Sequence, residues 1–183
     1  MSLLHARTRG LVAAVLAAAV VLAAVPAPAA AQSGQPAWAD TLYADLQTMA
    51  EAYNANVDGA RADMNAPTRA VYDQLNGRTV NVDLHGTDVT YAFRVTDDGR
   101  VVDLQQGTRD DAHLAMFLTR ATAERLTSAQ NPVTPFVAAV QTGRFVGSGD
   151  DRTVRGVVIR GEADQIVERA KWGAINLAKG FLF

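Results

Sequence analysis

Cysteine is absent from all 183 residues, and that absence removes disulfides, thiolate catalysis and cysteine-ligated zinc together. Stability must come from packing. Serine is scarce beyond the N-terminal segment, where only Ser33, Ser128 and Ser148 occur. Ser148 sits in Gly147-Ser148-Gly149, which lacks the spacing of a nucleophile elbow and reads as a strand end entering a turn. No glycine-rich phosphate loop is present, and no cofactor is expected. Acidic residues are missing before Asp40, so the chain opens on a stretch unlike the rest.

That stretch has the order of an export signal. His5, Arg7 and Arg9 make a basic start, and Leu11 to Val25 is an unbroken apolar run. Pro26 and Pro28 then stop any helix, and Ala29-Ala30-Ala31 supplies the small side chains a signal peptidase needs. Residues 1–31 are therefore expected to be a signal peptide cut before Gln32, which places the mature protein in the periplasm, at the cell surface or in the medium. The alternative is a retained anchor, but a spanning helix needs about 20 apolar residues. Without Arg7 and Arg9 the mature chain carries 15 basic against 19 acidic residues, a net of −4. That balance argues against nucleic acid or an anionic membrane surface as the main partner. The remaining 152 residues suffice for one ordinary domain.

Residues 32–36 form a short polar linker, and 37–183 are expected to be one domain. Trp38, Leu42, Leu46, Met49 and Tyr53 recur at the spacing of one helix face. Asn54 to Asn65 leaves the continuation of that helix open, and Pro67 to Asn76 reads as a second helix closed by Gly77. The period then drops to two. Val80, Val82 and Leu84 alternate with polar residues, as do Val89, Tyr91, Phe93 and Val95, with Gly86-Thr87 between the runs and Asp97-Asp98-Gly99 after them. These are consecutive hairpins with Val101 to Leu104 as the third strand. His113 to Leu118 reads as a buried strand, Thr119 to Leu126 as a helix, and Val133 to Val140 as another after Asn131-Pro132. Phe145 to Ser148 and Val154 to Ile159 read as two further strands, and Ala163 to Phe183 as a last helix. The expected class is α+β: a mainly antiparallel sheet of about five strands, helices packed on one face, and added N- and C-terminal helices.

The best metal candidates are Asp83 and His85, sharing a strand face at i, i+2, with His113 and Asp110 or Asp111 as further donors. Solvent-facing strand polarity explains them as well, so no metal site is assigned, and a metal-dependent enzyme is the remotest reading. Asp97-Asp98-Gly99 and Gly149-Asp150-Asp151 do not continue as calcium loops and are turn chemistry. The C-terminal half is rich in large apolar groups: Phe117, Leu126, Phe136, Val140, Phe145, Trp172, Leu177, Phe181 and Phe183. In the last helix Trp172, Ile175 and Leu182 lie well round the cylinder from Leu177 and Phe181. A helix apolar on two sides needs a partner on each.

The stretch from Val71 to about Ser148 resembles the sterol carrier protein 2 (SCP2-like) family. The likeness lies in a helix ending in Leu75-Asn76-Gly77 before the Thr79-Val80 strand, and in a strand, an Asp98-Gly99 turn and a strand from Tyr91 to Leu104. It continues through Leu114 to Leu126, Asn131-Pro132, Phe136 to Val140, and Gly143-Arg144-Phe145-Val146. The resemblance implies a mixed sheet, helices on one face and an apolar tunnel for fatty-acyl or sterol-like ligands, with no catalytic residues to carry over. It also implies that Leu114, Phe117, Leu126, Phe136 and Phe145 lie in cavity-lining elements. The expected function is an exported, non-catalytic binder of a lipid or other apolar small molecule. The rival is a cell-envelope interaction module with a filled core, its C-terminal helix docked on a protein or a membrane surface.

Overall fold

The computed structural model describes residues 35–62 and 64–182. The expected signal segment 1–31 and Phe183 lie outside the described residues, as do the side chains of Phe181 and Leu182.

The alternating runs fold as their period dictates. β1 (Thr79–Leu84), β2 (Thr90–Val95) and β3 (Val101–Gln106) form an antiparallel meander, with Val82 opposite Tyr91 and Val95 opposite Val101. Gly86 (φ 84°) and Gly99 (φ 87°) occupy the left-handed positions in its two turns. The chain then returns across the sheet, and β4 (Leu114–Leu118) runs parallel to β1, with Val80 beside Leu114 and Leu84 beside Leu118. β5 (Arg144–Val146) and β6 (Thr153–Arg155) make a separate small hairpin. β7 (Val158–Gly161) adds antiparallel to β4, giving the order β3-β2-β1-β4-β7. The single parallel pair makes the sheet mixed, and the α+β class holds.

β3 carries an extra residue. Its register to β2 shifts between Ala92 and Arg94, and Asp103 adopts φ 54°, as in a bulge. On a regular strand Val101 and Leu104, three apart, would point to opposite faces. The bulge brings both to the face that carries Val82, Leu84, Tyr91 and Phe93.

α1 (Ala37–Ala55), α2 (Val57–Ala62), α3 (Ala66–Tyr72), α4 (Arg120–Thr127), α5 (Val133–Gln141) and α6 (Ile166–Leu182) complete the described elements, with 3₁₀ turns at Asp73–Leu75 and Gly149–Asp151. Thr119 caps α4, its hydroxyl accepting from the Thr122 amide at 3.3 Å. The open stretch after Asn54 resolves into the short α2, and the helix expected from Pro67 to Asn76 becomes α3 followed by a 3₁₀ turn. A larger departure concerns Val154 to Ile159, read from sequence as one strand. Gly156, at φ 69°, breaks it, and a Cβ there would strike the Ala139 carbonyl. The chain leaves the hairpin at that point and enters the main sheet as β7, while the Val157 amide donates to Ala139 O at 2.8 Å.

Both sheet edges are covered by a helix asparagine. On β3, Asn54 of α1 donates to Val101 O at 2.6 Å and accepts from Val101 N at 2.8 Å. On β7, Asn176 of α6 donates to Ile159 O at 2.8 Å. Each bond satisfies edge groups that would otherwise template strand addition. Trp172 of α6 is fully buried in the same core as Val80, Tyr91, Leu114 and Ile159.

Candidate functional site

The face of the sheet formed by Val82, Leu84, Tyr91, Phe93, Val95, Met116 and Leu118 is the floor of a cavity of about 140 Å³. Its roof comes from the helices: Leu46, Met49, Ala50 and Tyr53 of α1, Tyr72 of α3, Ala123 and Leu126 of α4, and Val133 and Phe136 of α5. The floor is almost wholly buried, whereas Leu46, Met49, Ala50, Pro132, Val133 and Phe136 are half-exposed. The cavity is therefore deep against the sheet and shallow where α1 and the start of α5 border it.

Among the described residues, tyrosine hydroxyls are the only side-chain polar groups in the lining, and each has a partner. Tyr91 donates to Ala39 O at 2.8 Å, and Tyr53 donates to Gly99 O at 3.1 Å. The Tyr72 hydroxyl bonds to that of Tyr53, the two rings lying 6.2 Å apart. Burial, the largest cause, raises the pKa of all three, pushing Tyr91 up to about 12. Tyr72 is raised further by its bond to Tyr53. The hydroxyls thus stay neutral and are taken up by protein acceptors. Among the described residues no Asp, Glu, His, Lys, Arg or Ser lines the cavity, so it suits an apolar group and would penalise a charged one.

Of the five residues expected to line a cavity, Leu126 and Phe136 do so. Phe136 also packs edge-on against Tyr72 at 6.4 Å. Leu114 is fully buried on the cavity side of β4, but at the end of the strand nearest Gly161 and away from the lining. Phe117 alternates with Met116 and Leu118 and so points to the other face of the sheet. There it meets Phe145 at 5.4 Å, and the guanidinium groups of Arg152 and Arg160 lie over the Phe145 ring at 4.0 and 4.2 Å. The structure therefore separates Phe117 and Phe145 from Leu126 and Phe136. Met116, Tyr53, Tyr72 and the α1 stripe take their places. Alternation in β4 sets Met116 with Leu118 and apart from Phe117, but which of the two faces meets the helices is decided by the packing of the strand against β1.

The metal candidates do not assemble. His85 Nε2 lies 2.8 Å from Arg152 O. His113 Nδ1 accepts from the Thr79 amide at 3.2 Å, at the opposite end of β1 from Asp83. Asp111 is taken by Arg109 at 2.8 Å. Asp83 itself is pushed above the usual carboxylate range by burial, with His85 pulling the other way. Among the described residues no three His, Cys, Asp or Glu side chains gather as a metal-binding group.

No family model matches the chain, and no curated protein matches it. Among solved structures it is similar to a UbiJ-SCP2 ubiquinone synthesis protein. The match covers 76% of this chain and 98% of that one, at 9% identity and a TM-score of 0.35. At that level of similarity it carries no argument about fold, ligand or chemistry.

Proposed function

We propose that this protein is a non-catalytic carrier that holds an apolar small molecule, or a segment of a lipid chain, between its sheet and helices. The observation that carries this reading is the lining: apolar side chains throughout, with every tyrosine hydroxyl turned to a protein acceptor. A polar headgroup belongs at the half-exposed side formed by α1 and α5, where water remains within reach. The N-terminal residues 1–31, with their basic start, apolar run and Ala29-Ala30-Ala31, support work outside the cytoplasm. Among the described residues the lining offers no serine or cysteine nucleophile, ion pair or metal-ligand set, which favours binding over chemistry.

Phe136 provides the test. It is half-buried, so Phe136→Ala should cost about 1–2 kcal/mol, below the 3–5 of a fully packed phenylalanine. A fluorescent fatty-acid probe should bind the parent protein saturably and the variant several-fold more weakly. If the parent binds no probe and the variant loses a full core-sized stability, the space is ordinary core. The envelope interaction module then becomes the better reading.

A further inference from the structure

The helices over the cavity are not tied down equally. α1 is bonded to β3 and its flanking turn along its whole length. Tyr43 donates to Leu104 O at 2.8 Å and Tyr53 to Gly99 O at 3.1 Å, while Asp40 accepts from Gln106 at 2.7 Å. The two Asn54–Val101 bonds and the Tyr91 bond to Ala39 O complete the set. α4 follows β4 directly, with its Thr119 cap and with Thr122, Ala123 and Leu126 buried. Neither helix can leave the sheet without losing several of these contacts at once.

α5 is held at one end. Near its C-terminus Ala139 O accepts from the Val157 amide at 2.8 Å, and Ala139 and Val140 are buried. Two glycines let the backbones meet there: a Cβ at Gly156 would strike Ala139 O, and one at Gly143 would strike Val157 O. The N-terminal end has no such seat. From Ala129 to Ala138 no residue is buried. Among the described residues, the hydrogen bonds of that stretch reach only near neighbours in sequence, as from Val133 N to Asn131 Oδ1 at 3.1 Å. Pro132 and Pro135 have no amide to offer another element. Pro132, Val133 and Phe136, which border the cavity, all lie at this untied end. Phe136 meets Tyr72 ring to ring at 6.4 Å, a contact that can part without breaking a hydrogen bond.

We propose that α5 is the gate of the cavity. It pivots on its seat at Ala139 and Gly143 and swings Val133 and Phe136 away from α1 and Tyr72, admitting a chain too long for the closed space. The connection from α4, exposed at Ser128, Gln130 and Asn131, supplies the slack. A few element-terminal residues suffice to absorb such a rotation. Over a lever of about 12 Å from Thr134 to Thr142, a swing of about 20° carries Thr134 by roughly 4 Å. The gate presupposes the carrier reading and adds which wall moves.

The absence of native cysteine allows paired spin labels in the full chain. Thr48→Cys with Thr134→Cys spans α1 and the untied end of α5, and Thr48→Cys with Arg125→Cys spans α1 and α4. All three positions are exposed. Pulsed electron–electron double resonance should show the 48–134 distance lengthening by roughly 4 Å with cis-parinaric acid, and the 48–125 distance unchanged. Benzene, which fits the closed cavity, should move neither. Binding is read separately, from parinaric acid fluorescence and from the melting temperature with benzene. Saturable parinaric acid binding with a fixed 48–134 distance would overturn the gate and leave the carrier reading standing. Equal lengthening of both distances would also overturn it, assigning the motion to α1, as would binding of benzene without parinaric acid. Binding of neither molecule would remove the carrier reading and the gate with it.

Discussion

At the scale of single residues, the cavity wall is defined by three tyrosines that the fold keeps protonated. Their rings supply apolar surface, and their hydroxyls are bound to Ala39, Gly99 and each other. In the unfolded chain a tyrosine titrates near pH 10, whereas Tyr53, Tyr72 and Tyr91 titrate above that when folded, Tyr91 at about 12. Between these values the unfolded chain has lost protons that the folded one retains. Stability is therefore intact below pH 10 and falls as pH rises above it, by up to about 1.4 kcal/mol per pH unit for each group. Urea midpoints measured from pH 8 to 11.5 should fall above pH 10, and Tyr91→Phe should flatten that slope while lowering stability at pH 8 through its lost bond to Ala39. Parallel slopes in parent and variant would mean that Tyr91 does not titrate with folding.

At the scale of elements, the sheet is finished by helices that protect its edges, and α6 is the one whose seat is most demanding. Gly161 ends β7 where α6 begins, and a Cβ there would run into the backbone of Glu168 and Arg169. Nothing flexible at that contact can yield, so the helix itself would have to move. Glu168 is buried and held by Arg78 at 2.9 Å and Lys171 at 3.4 Å. Displacing α6 would strand that carboxylate, uncover Trp172 and free the Ile159 carbonyl. Gly161→Val should consequently destabilise the protein by about 3 kcal/mol or more, in the range of broken buried networks and overpacking. Hydrogen exchange should speed up in α6 and β7 before β1 and β2. Unchanged protection of α6 in that variant would show that the helix is not seated on Gly161.

At the scale of the whole molecule, the elements were legible and their faces were not. Alternation from Val80 to Leu104 located three strands, and the Trp38-to-Tyr53 stripe located α1, because each element's period is a local property. Which face of β4 meets the helices depends on its register with β1, about 100 Å of extended chain away, and on a return across the sheet that no local pattern encodes. The family resemblance put Phe117 and Phe145 in cavity-lining elements, whereas the small hairpin carries Phe145 against Phe117 on the far side of the sheet. The split at Gly156 was masked by its neighbours, since Val154, Val157, Val158 and Ile159 all favour strand; the φ of 69° and the Ala139 carbonyl of α5, which a Cβ there would strike, require glycine at the break. The bulge at Asp103 had no signal, since left-handed bulge positions usually carry glycine.

Cavity size then decides what the whole molecule can carry. At about 140 Å³ the space resembles an engineered apolar cavity of about 150 Å³ that stays dry and binds benzene, and it lies below the roughly 300–1,000 Å³ of drug-sized pockets. A benzene-sized molecule or one segment of an acyl chain fits as the structure stands, whereas a whole sterol would have to part α1 from α5. A ligand present at 100 times its dissociation constant stabilises the fold by about 2.7 kcal/mol. For a domain of this size that is roughly 5–10 °C in melting temperature, at about 2–4 °C per kcal/mol. Benzene and decanoic acid should therefore raise the melting temperature in a saturable way, and cholesterol should shift it less. Ala123→Leu, which adds three carbons at a buried position in the lining, should fill part of the space. The variant should melt at or above the parent's temperature without ligand and lose most of the benzene shift. An undiminished shift in Ala123→Leu would place the ligand outside this cavity, and a variant that melts well below the parent would show that the space is already closely packed.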